Sequence, residues 1–311
     1  MKVLILGFSS IAQRKVIPAL GKLKLVSEIE IASKSKKVTL RGKITKKYTS
    51  YKEAINNSNA EVVYISLPNA HHYKYSEMSL LNSKHVIVDK PSILNRDELE
   101  RLMQVAQEKK LTINESTVYL YHKAVKKFIN INNKEKGILI ATFTVPAFDK
   151  DNFRNSIALG GGALNDMAVY ASSVGRNFWG SNSKSLTASI EKKQKLDISF
   201  SVLANYGQGR EMIGYFGFEK NYSNNLTFIG NSKTASLERV FSAPDDFNTK
   251  IIINKSSNSK KNIIDIGTDD SFYNFLNDVL KNIKLGKLKL LNNEFYKSNL
   301  ETLKILEVRN R

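Results

Sequence analysis

Lys90, Asp166 and Tyr170 offer an ammonium, a carboxylate and a phenol at positions where local chain geometry can aim them. Lys90 ends the apolar run Val86-Ile87-Val88-Asp89 and is followed at once by Pro91. Proline cannot continue a central strand, so the run reads as a buried strand that delivers the ammonium at its carboxyl end. Open α/β sheets bind their ligands at that end. Asp166 and Tyr170 follow Gly160-Gly161-Gly162, and their i, i+4 spacing puts both on one face of a helix. Glycines there permit close approach of backbone to a ligand. A phenol near an ammonium has its anion favoured, so it can hand a proton to a ketone and take one from an alcohol. Taken singly, these residues have plainer readings. A strand-end lysine in a chain with 48 Lys and Arg is commonly solvated, and a tyrosine beside Met167 and Val169 is commonly core.

The elements that must position these groups follow an alternating grammar. Lys2 to Leu6 is an apolar strand, Gly7-Phe8-Ser9-Ser10-Ile11-Ala12 a tight turn, and Ile11 to Leu20 a patterned helix. That is the opening of a dinucleotide-binding βαβ unit, with Ser9 at the second glycine position of G-x-G-x-x-G and Ala12 at the third. The Ser9 hydroxyl is expected to donate to a phosphate oxygen. A second strand, Glu28 to Ala32, ends in Ser33 and Lys34, with Lys36 and Lys37 beyond. NAD enzymes hold the ribose with a carboxylate at such a tip, whereas hydroxyls and ammonium groups suit a 2′-phosphate, so NADP is favoured over NAD. Helices over Tyr51 to Asn57, His71 to Asn82 and Asp97 to Lys109 alternate with strands at Glu61 to Leu67, His85 to Asp89 and Leu111 to Asn114, which calls for a parallel sheet.

After Lys136 the pattern changes. Strands are expected at 138–145, 185–191, 197–204, 210–217, 225–229 and 250–254, with helices at 163–175, 271–285 and 294–308. Many strands with few interleaved helices specify an α+β domain with a large, mostly antiparallel open sheet. The division expected is a dinucleotide-binding domain over 1–118 and a second domain over 119–311.

Composition narrows the classes. At 311 residues the chain has room for two cores, and 41% hydrophobic with 25% charged residues is a globular balance. No apolar run reaches the roughly 18 residues that span a bilayer. The apolar start, Met1 to Gly7, is too short for a signal peptide. The absence of cysteine excludes disulfides and thiolate metal sites and fits a reducing cytoplasm. Four histidines give no support to a metal site. The net charge of +19 raises nucleic-acid binding, but the lysines are scattered and no helix-turn-helix, zinc-finger or aromatic RNA-binding signature occurs. The basic balance is read instead as suiting small anionic ligands such as nucleotides.

Set in order, these segments resemble the glucose–fructose oxidoreductase / inositol dehydrogenase (Gfo/Idh/MocA) family, in its tyrosine-containing subgroup. The resemblance rests on the G-x-S-x-x-A turn, Pro68-Asn69-Ala70-His71-His72, Lys84-His85-Val86-Ile87-Val88-Asp89-Lys90-Pro91, Gly160 through Tyr170, and Asn225-Leu226-Thr227-Phe228-Ile229-Gly230. It implies a Rossmann domain followed by a substrate-binding and oligomerisation domain. It makes Lys90 the lysine beside the reacting carbon–oxygen bond, Tyr170 the proton donor, and Asp166 the residue that orients sugar hydroxyls or Lys90. Cofactor contacts are implied for Gly7, Ser9, Ser10, Ile11, Ala12, Ser33, Lys34, Ser66, Leu67, Asn69, His72, Asp89 and Lys90. Asp89 replaces the family's glutamate, shortening that arm by one methylene. Tyr119 and His122 fall in a segment similar to the family's crossing between domains, where Leu120 and Lys123 depart from the pattern. The expected function is NADP(H)-dependent hydride transfer to or from a carbonyl or secondary alcohol of a sugar or sugar nucleotide, with a nucleotide-sugar ketoreductase preferred. The rival is a non-catalytic dinucleotide-binding sensor or partner subunit. A homodimer or tetramer in the cytoplasm, with no nucleic-acid or membrane partner, completes the expectation.

Overall fold

Short runs of β-branched and aliphatic residues build the first sheet: β1 (Lys2–Leu6), β2 (Glu28–Ala32), β3 (Ile44–Tyr48), β4 (Val62–Ile65), β5 (His85–Val88) and β6 (Ile113–Glu115). A computed structural model describes residues 1–34, 38–255 and 258–310, so Lys36 and Lys37 lie outside the described residues. The strands pair in parallel in the order β3-β2-β1-β4-β5-β6. Both faces of the central strands are covered: every residue of β4 is buried, as are Leu4, Ile5, Leu6, Val86, Ile87 and Val88. Each such side chain contributes roughly 1.5–3 kcal/mol of burial. The strand order reverses between β1 and β4, which is where doubly wound sheets open a crevice for a ligand.

The first helix departs from expectation. Residues Ala12–Val16 form a π-helical stretch, and α1 proper runs Ile17–Lys22, with Pro18 in its first turn. Proline lacks an N–H and its ring collides with the carbonyl four residues back, so a wider turn ahead of it relieves the clash. α2 (Tyr51–Asn57), α3 (His72–Leu81) and α4 (Arg96–Glu108) complete the crossovers. Asn95 caps α4 by accepting from Glu98 N at 3.0 Å, while the Glu98 carboxylate accepts from Leu94 N at 2.7 Å. β3 is an edge strand that the sequence pattern did not suggest. Only Ile44 and Tyr48 turn away from solvent, and the lysines between them suit an unpaired edge.

The second sheet carries β7 (Gly137–Thr144), β8 (Ser185–Lys193), β9 (Leu196–Gly207), β10 (Arg210–Gly217), β11 (Ser223–Gly230), β12 (Lys233–Glu238), β13 (Thr249–Lys255) and β14 (Asn258–Gly267). Their order is β14-β13-β12-β11-β7-β10-β9-β8. All neighbours are antiparallel except β7 and β10, which run parallel. β12 and β14 were not anticipated, nor was α5 (Lys123–Asn132), whose first turn is capped by His122 Nδ1 accepting from Ala124 N at 3.1 Å. α6 (Ala163–Trp179) packs on β9 and β10. α7 (Ser271–Lys284) and α8 (Leu288–Leu306) end the chain.

By compactness the chain divides into Met1–Thr117 with Phe272–Lys297, and Val118–Ser271 with Ser298–Arg311. The returning segment in the first unit is tied to its edge strand: Asn292 Oδ1 accepts from Ile113 N at 3.2 Å and its Nδ2 donates to Leu111 O at 2.9 Å. A side-chain amide thereby closes the rim of β6.

Candidate active site

In the first unit, the exits of β1, β4 and β5 meet. Gly7 has φ +95°, and a Cβ placed on it would lie 2.1 Å from Ser66 O, so only glycine fits where β1 turns toward its helix. Ser10 and Ile11 stand exposed at the head of that helix, while Ala12 is buried beneath them. The Ser9 hydroxyl does not reach outward as expected. It accepts from Ala12 N at 3.0 Å and lies 2.7 Å from Ser66 Oγ. Ser66 in turn donates to Asp89 Oδ2 at 2.6 Å, which leaves Ser9 as the donor in the pair. Its proton is spent inside the protein, because the acceptor carboxylate at the end of the relay orders both hydroxyls.

Asp89 collects two further donors: Tyr64 Oη at 2.5 Å and Ser116 Oγ at 3.1 Å, both to Oδ1. Three hydroxyls from β4, its exit and the segment after β6 thus converge on the one carboxylate. Burial, then the Asp89 charge, holds the Tyr64 phenol well above its ordinary pKa, so it remains a donor. Tyr64→Phe removes one charge-assisted bond from a buried group, and the expected loss is about 1.5–3 kcal/mol of unfolding free energy, read by urea denaturation.

Lys90 follows on the cis Lys90–Pro91 peptide. Its segment is held from two sides. His72 is buried, with Nδ1 2.6 Å from Pro91 O and Nε2 2.7 Å from Leu67 O. Ser92 N donates to Glu115 Oε2 at 2.7 Å. Both ring nitrogens of His72 thus lie against backbone carbonyls and join the exit of β4 to the turn after β5. Burial lowers its pKa, against the two carbonyl contacts that raise it. Lys84, at the start of the same motif, is also structural. Its Nζ donates to Ser58 O at 2.7 Å and Ala60 O at 3.0 Å. Of the remaining residues expected here, Asn69 is buried and Leu67 half-buried beside the same exit.

At the tip of β2, Ser33 N donates to Tyr48 O at 2.9 Å, so the unanticipated β3 fixes the start of the basic loop. The exposed Lys34 places Nζ 5.1 Å from the Tyr51 ring centroid. Glu30, the nearest carboxylate in the strand, is buried and accepts from Tyr48 Oη at 3.0 Å. It is thus committed inside the protein.

The second unit presents the other half of the expected chemistry. In the run 163–175 every residue is buried except Tyr170, which is half-buried. Its ring sits among Phe143, Phe241 and Tyr119, with centroids 5.2, 5.3 and 5.7 Å away. Tyr119 is buried and pairs its hydroxyl with Ser173 Oγ at 2.7 Å. A ring packed on aromatic neighbours yet reachable at one edge is not the core tyrosine that its helix position alone suggests. Asp166 is buried and takes Arg154 Nε at 3.0 Å. Arg154 is itself stacked over Phe153 at 4.6 Å and Phe148 at 5.0 Å.

The glycine turn is clamped. Gly162 has φ +100°, and a Cβ there would lie 2.7 Å from Asp197 Oδ2. Asn165 Nδ2 donates to Gly160 O at 3.2 Å and Gly161 O at 3.1 Å. Near the end of the chain, Arg309 Nη2 donates to Asn165 Oδ1 at 3.1 Å and Asp197 Oδ2 at 2.7 Å. Arg154 and Arg309 belong to no motif that separates them from the other 46 of the 48 basic residues. The only sequence signal was the position of Arg154 shortly before the triple glycine.

A six-stranded parallel sheet with a glycine turn at its switch point, coupled in one chain to a large open sheet carrying a tyrosine and a carboxylate on one helix, defines a two-domain dinucleotide oxidoreductase architecture. Residues 1–116 match the Gfo/Idh/MocA family model, described as oxidoreductase family, NAD-binding Rossmann fold. The chain is 27% identical over 281 residues to a dTDP-3,4-didehydro-2,6-dideoxy-α-D-glucose 3-reductase of Actinomadura kijaniata, covering 85% of this chain and 82% of the relative. The like-named reductase of Streptomyces antibioticus is 24% identical, covering 92% and 89%. The crystal structure of KijD10, a 3-ketoreductase from Actinomadura kijaniata in complex with NADP and TDP-benzene, superposes with a TM-score of 0.91 at 24% identity, over 100% of this chain and 97% of that one.

Proposed function

We propose that this chain is an NADPH-dependent ketoreductase that reduces the ring ketone of a dTDP-linked deoxysugar. The observation that carries the reading is the likeness, over more than four-fifths of the chain, to 3-reductases of dTDP-linked sugars. The residues on the page agree with it. Gly7 leaves room for backbone to meet a pyrophosphate, and Ser10 and Ile11 head the helix that follows. Lys34 meets a 2′-phosphate, while the buried, Tyr48-bound Glu30 is withdrawn from the ribose. NADPH, when bound, supplies the hydride. Lys90 polarises the ketone oxygen and stabilises the charge that develops on it, Tyr170 delivers the proton, and Asp166, held by Arg154, orients the sugar hydroxyls.

Purified protein should consume NADPH in the presence of a dTDP-linked 3-ketosugar, and no consumption with any such sugar would refute the reading. The cofactor preference has a separate readout by fluorescence titration. Lys34→Ala should weaken NADPH roughly tenfold and leave NADH little changed, as loss of one charge-assisted phosphate contact predicts. Equal affinities for the two in the parent protein would overturn the preference.

A homo-oligomer is supported by the outward face of the second sheet. In register across it, Leu203, Ile213, Ile140, Thr227, Ser236, Ile252 and Ile263 form one uncharged row. Leu203, Ile213 and Ile263 are 50%, 45% and 56% exposed. An apolar stripe of that kind fits a second copy of the same face. Among the described residues no helix is long and apolar enough to cross a membrane, and a cytoplasmic location remains the reading that the lack of cysteine supports.

A further inference from the structure

We propose that Arg239 and Tyr222 form the subsite that holds the nucleoside diphosphate of the substrate. This rests on the nucleotide-sugar reading above and assigns it a place. The Arg239 guanidinium lies over the Tyr222 ring at 4.8 Å and near the Phe247 ring at 5.7 Å. Stacking occupies the faces of a guanidinium and leaves its in-plane N–H fork for an anion, the geometry that favours phosphate. Among the described residues Arg239 has no carboxylate partner, and its one side-chain hydrogen bond, from Nη1 to Tyr222 Oη, is long at 3.5 Å. Arg154, by contrast, is committed to Asp166.

The cluster is built rather than incidental. Asn224 is 3% exposed and ties it together: Nδ2 donates to Tyr222 Oη at 3.0 Å and Ser242 Oγ at 2.9 Å, while Oδ1 accepts from Phe241 N at 2.9 Å. Arg239 itself sits at φ +55°, a conformation disfavoured for a side-chain-bearing residue, and its N–H is fixed on Asn224 O at 2.7 Å. Tyr222 keeps 42% of its surface exposed, so aromatic surface beyond the part covered by Arg239 is open to a base. Through Phe241 the cluster adjoins Tyr170, whose ring centroid is 5.3 Å from that of Phe241. A substrate whose ketone is served by Tyr170 thus has a cationic, aromatic platform nearby for its remote half. Asp245 and Asp246 lie in the same loop.

A diphosphate could belong to the sugar nucleotide or to the dinucleotide, so the test titrates dTDP and NADP⁺ separately by calorimetry. Arg239→Gly removes the guanidinium while suiting the positive φ, and Arg239→Lys keeps the charge without the fork. We expect dTDP to weaken roughly 10- to 100-fold in Arg239→Gly and less in Arg239→Lys, with NADP⁺ within about twofold in both. Unchanged dTDP affinity in Arg239→Gly, or weakening of NADP⁺ instead, overturns the subsite and leaves the ketoreductase reading standing. Failure of the parent protein to bind dTDP, alongside NADPH-dependent reduction of a sugar without a nucleotide, overturns both this subsite and the nucleotide-sugar substrate.

Discussion

Lys90→Ala is expected to lower kcat by roughly 10²–10³-fold while changing NADPH affinity far less, the loss typical of removing one preorganised group that meets developing negative charge. The size follows from how little the segment can move. Asp89 is held by Tyr64, Ser66 and Ser116, Pro91 O by His72, and Ser92 N by Glu115. An ammonium carried on so fixed a backbone needs little reorganisation as charge builds on the ketone oxygen. Alanine removes the cation, while the bonds made by Asp89, Pro91 O and Ser92 N do not involve the lost side chain. Lys90→Arg is expected to recover little, because a planar fork replaces a compact point charge. Stopped-flow reduction at saturating NADPH would measure the effect; a kcat within threefold of the parent would remove Lys90 from the chemistry.

Tyr170→Phe is the second large effect, a loss in kcat of roughly 10²–10⁴-fold, the usual contribution of a positioned general acid. The substitution keeps the ring and removes only the hydroxyl. The ring's packing on Phe143, Phe241 and Tyr119 is retained, and the hydroxyl lies on a side chain that is only half-buried. Thermal melting is therefore expected to shift by no more than about 2 °C, as for a substitution costing under about 0.5 kcal/mol. A large fall in melting temperature together with unchanged kcat would make Tyr170 a packing residue.

Much of the frame was legible because it is written in local pattern. The all-apolar runs at Leu4, Val62 and Val86 could only be buried parallel strands, and the glycine turns and the Asp166–Tyr170 spacing were visible as motifs. What escaped has a physical cause in each case. β3 hides its character because Thr45, Lys46 and Lys47 face solvent at an edge. β12 is short and carries only Ala235 and Leu237 inward. The partners of the site residues were not readable at all. Tyr64, Ser116 and Arg309 are ordinary residues until the fold brings them to Asp89 and to Asn165, and Asn165 and Arg309 are 144 positions apart in the chain. Ser9 and His72 show the converse. Their positions in motifs were plain, but whether a polar atom faces a ligand or a neighbouring backbone group depends on partners that sequence spacing does not reveal.

The aspartate at position 89, where the central motif departs from the pattern of the family it resembles, gains a rationale from these partners. A shorter carboxylate is met by hydroxyls from three separate segments, so the strand end that presents Lys90 is secured by convergence rather than by reach.

The most direct test is isotopic. With NADPH carrying deuterium at C4 of the nicotinamide on the transferred side, reduction of a dTDP-linked 3-ketosugar should place one deuterium on the former carbonyl carbon, read by mass spectrometry and NMR of the product. NADPH oxidised without deuterium in the sugar, or a sugar returned unreduced, would contradict the assignment of this chain as a nucleotide-sugar ketoreductase.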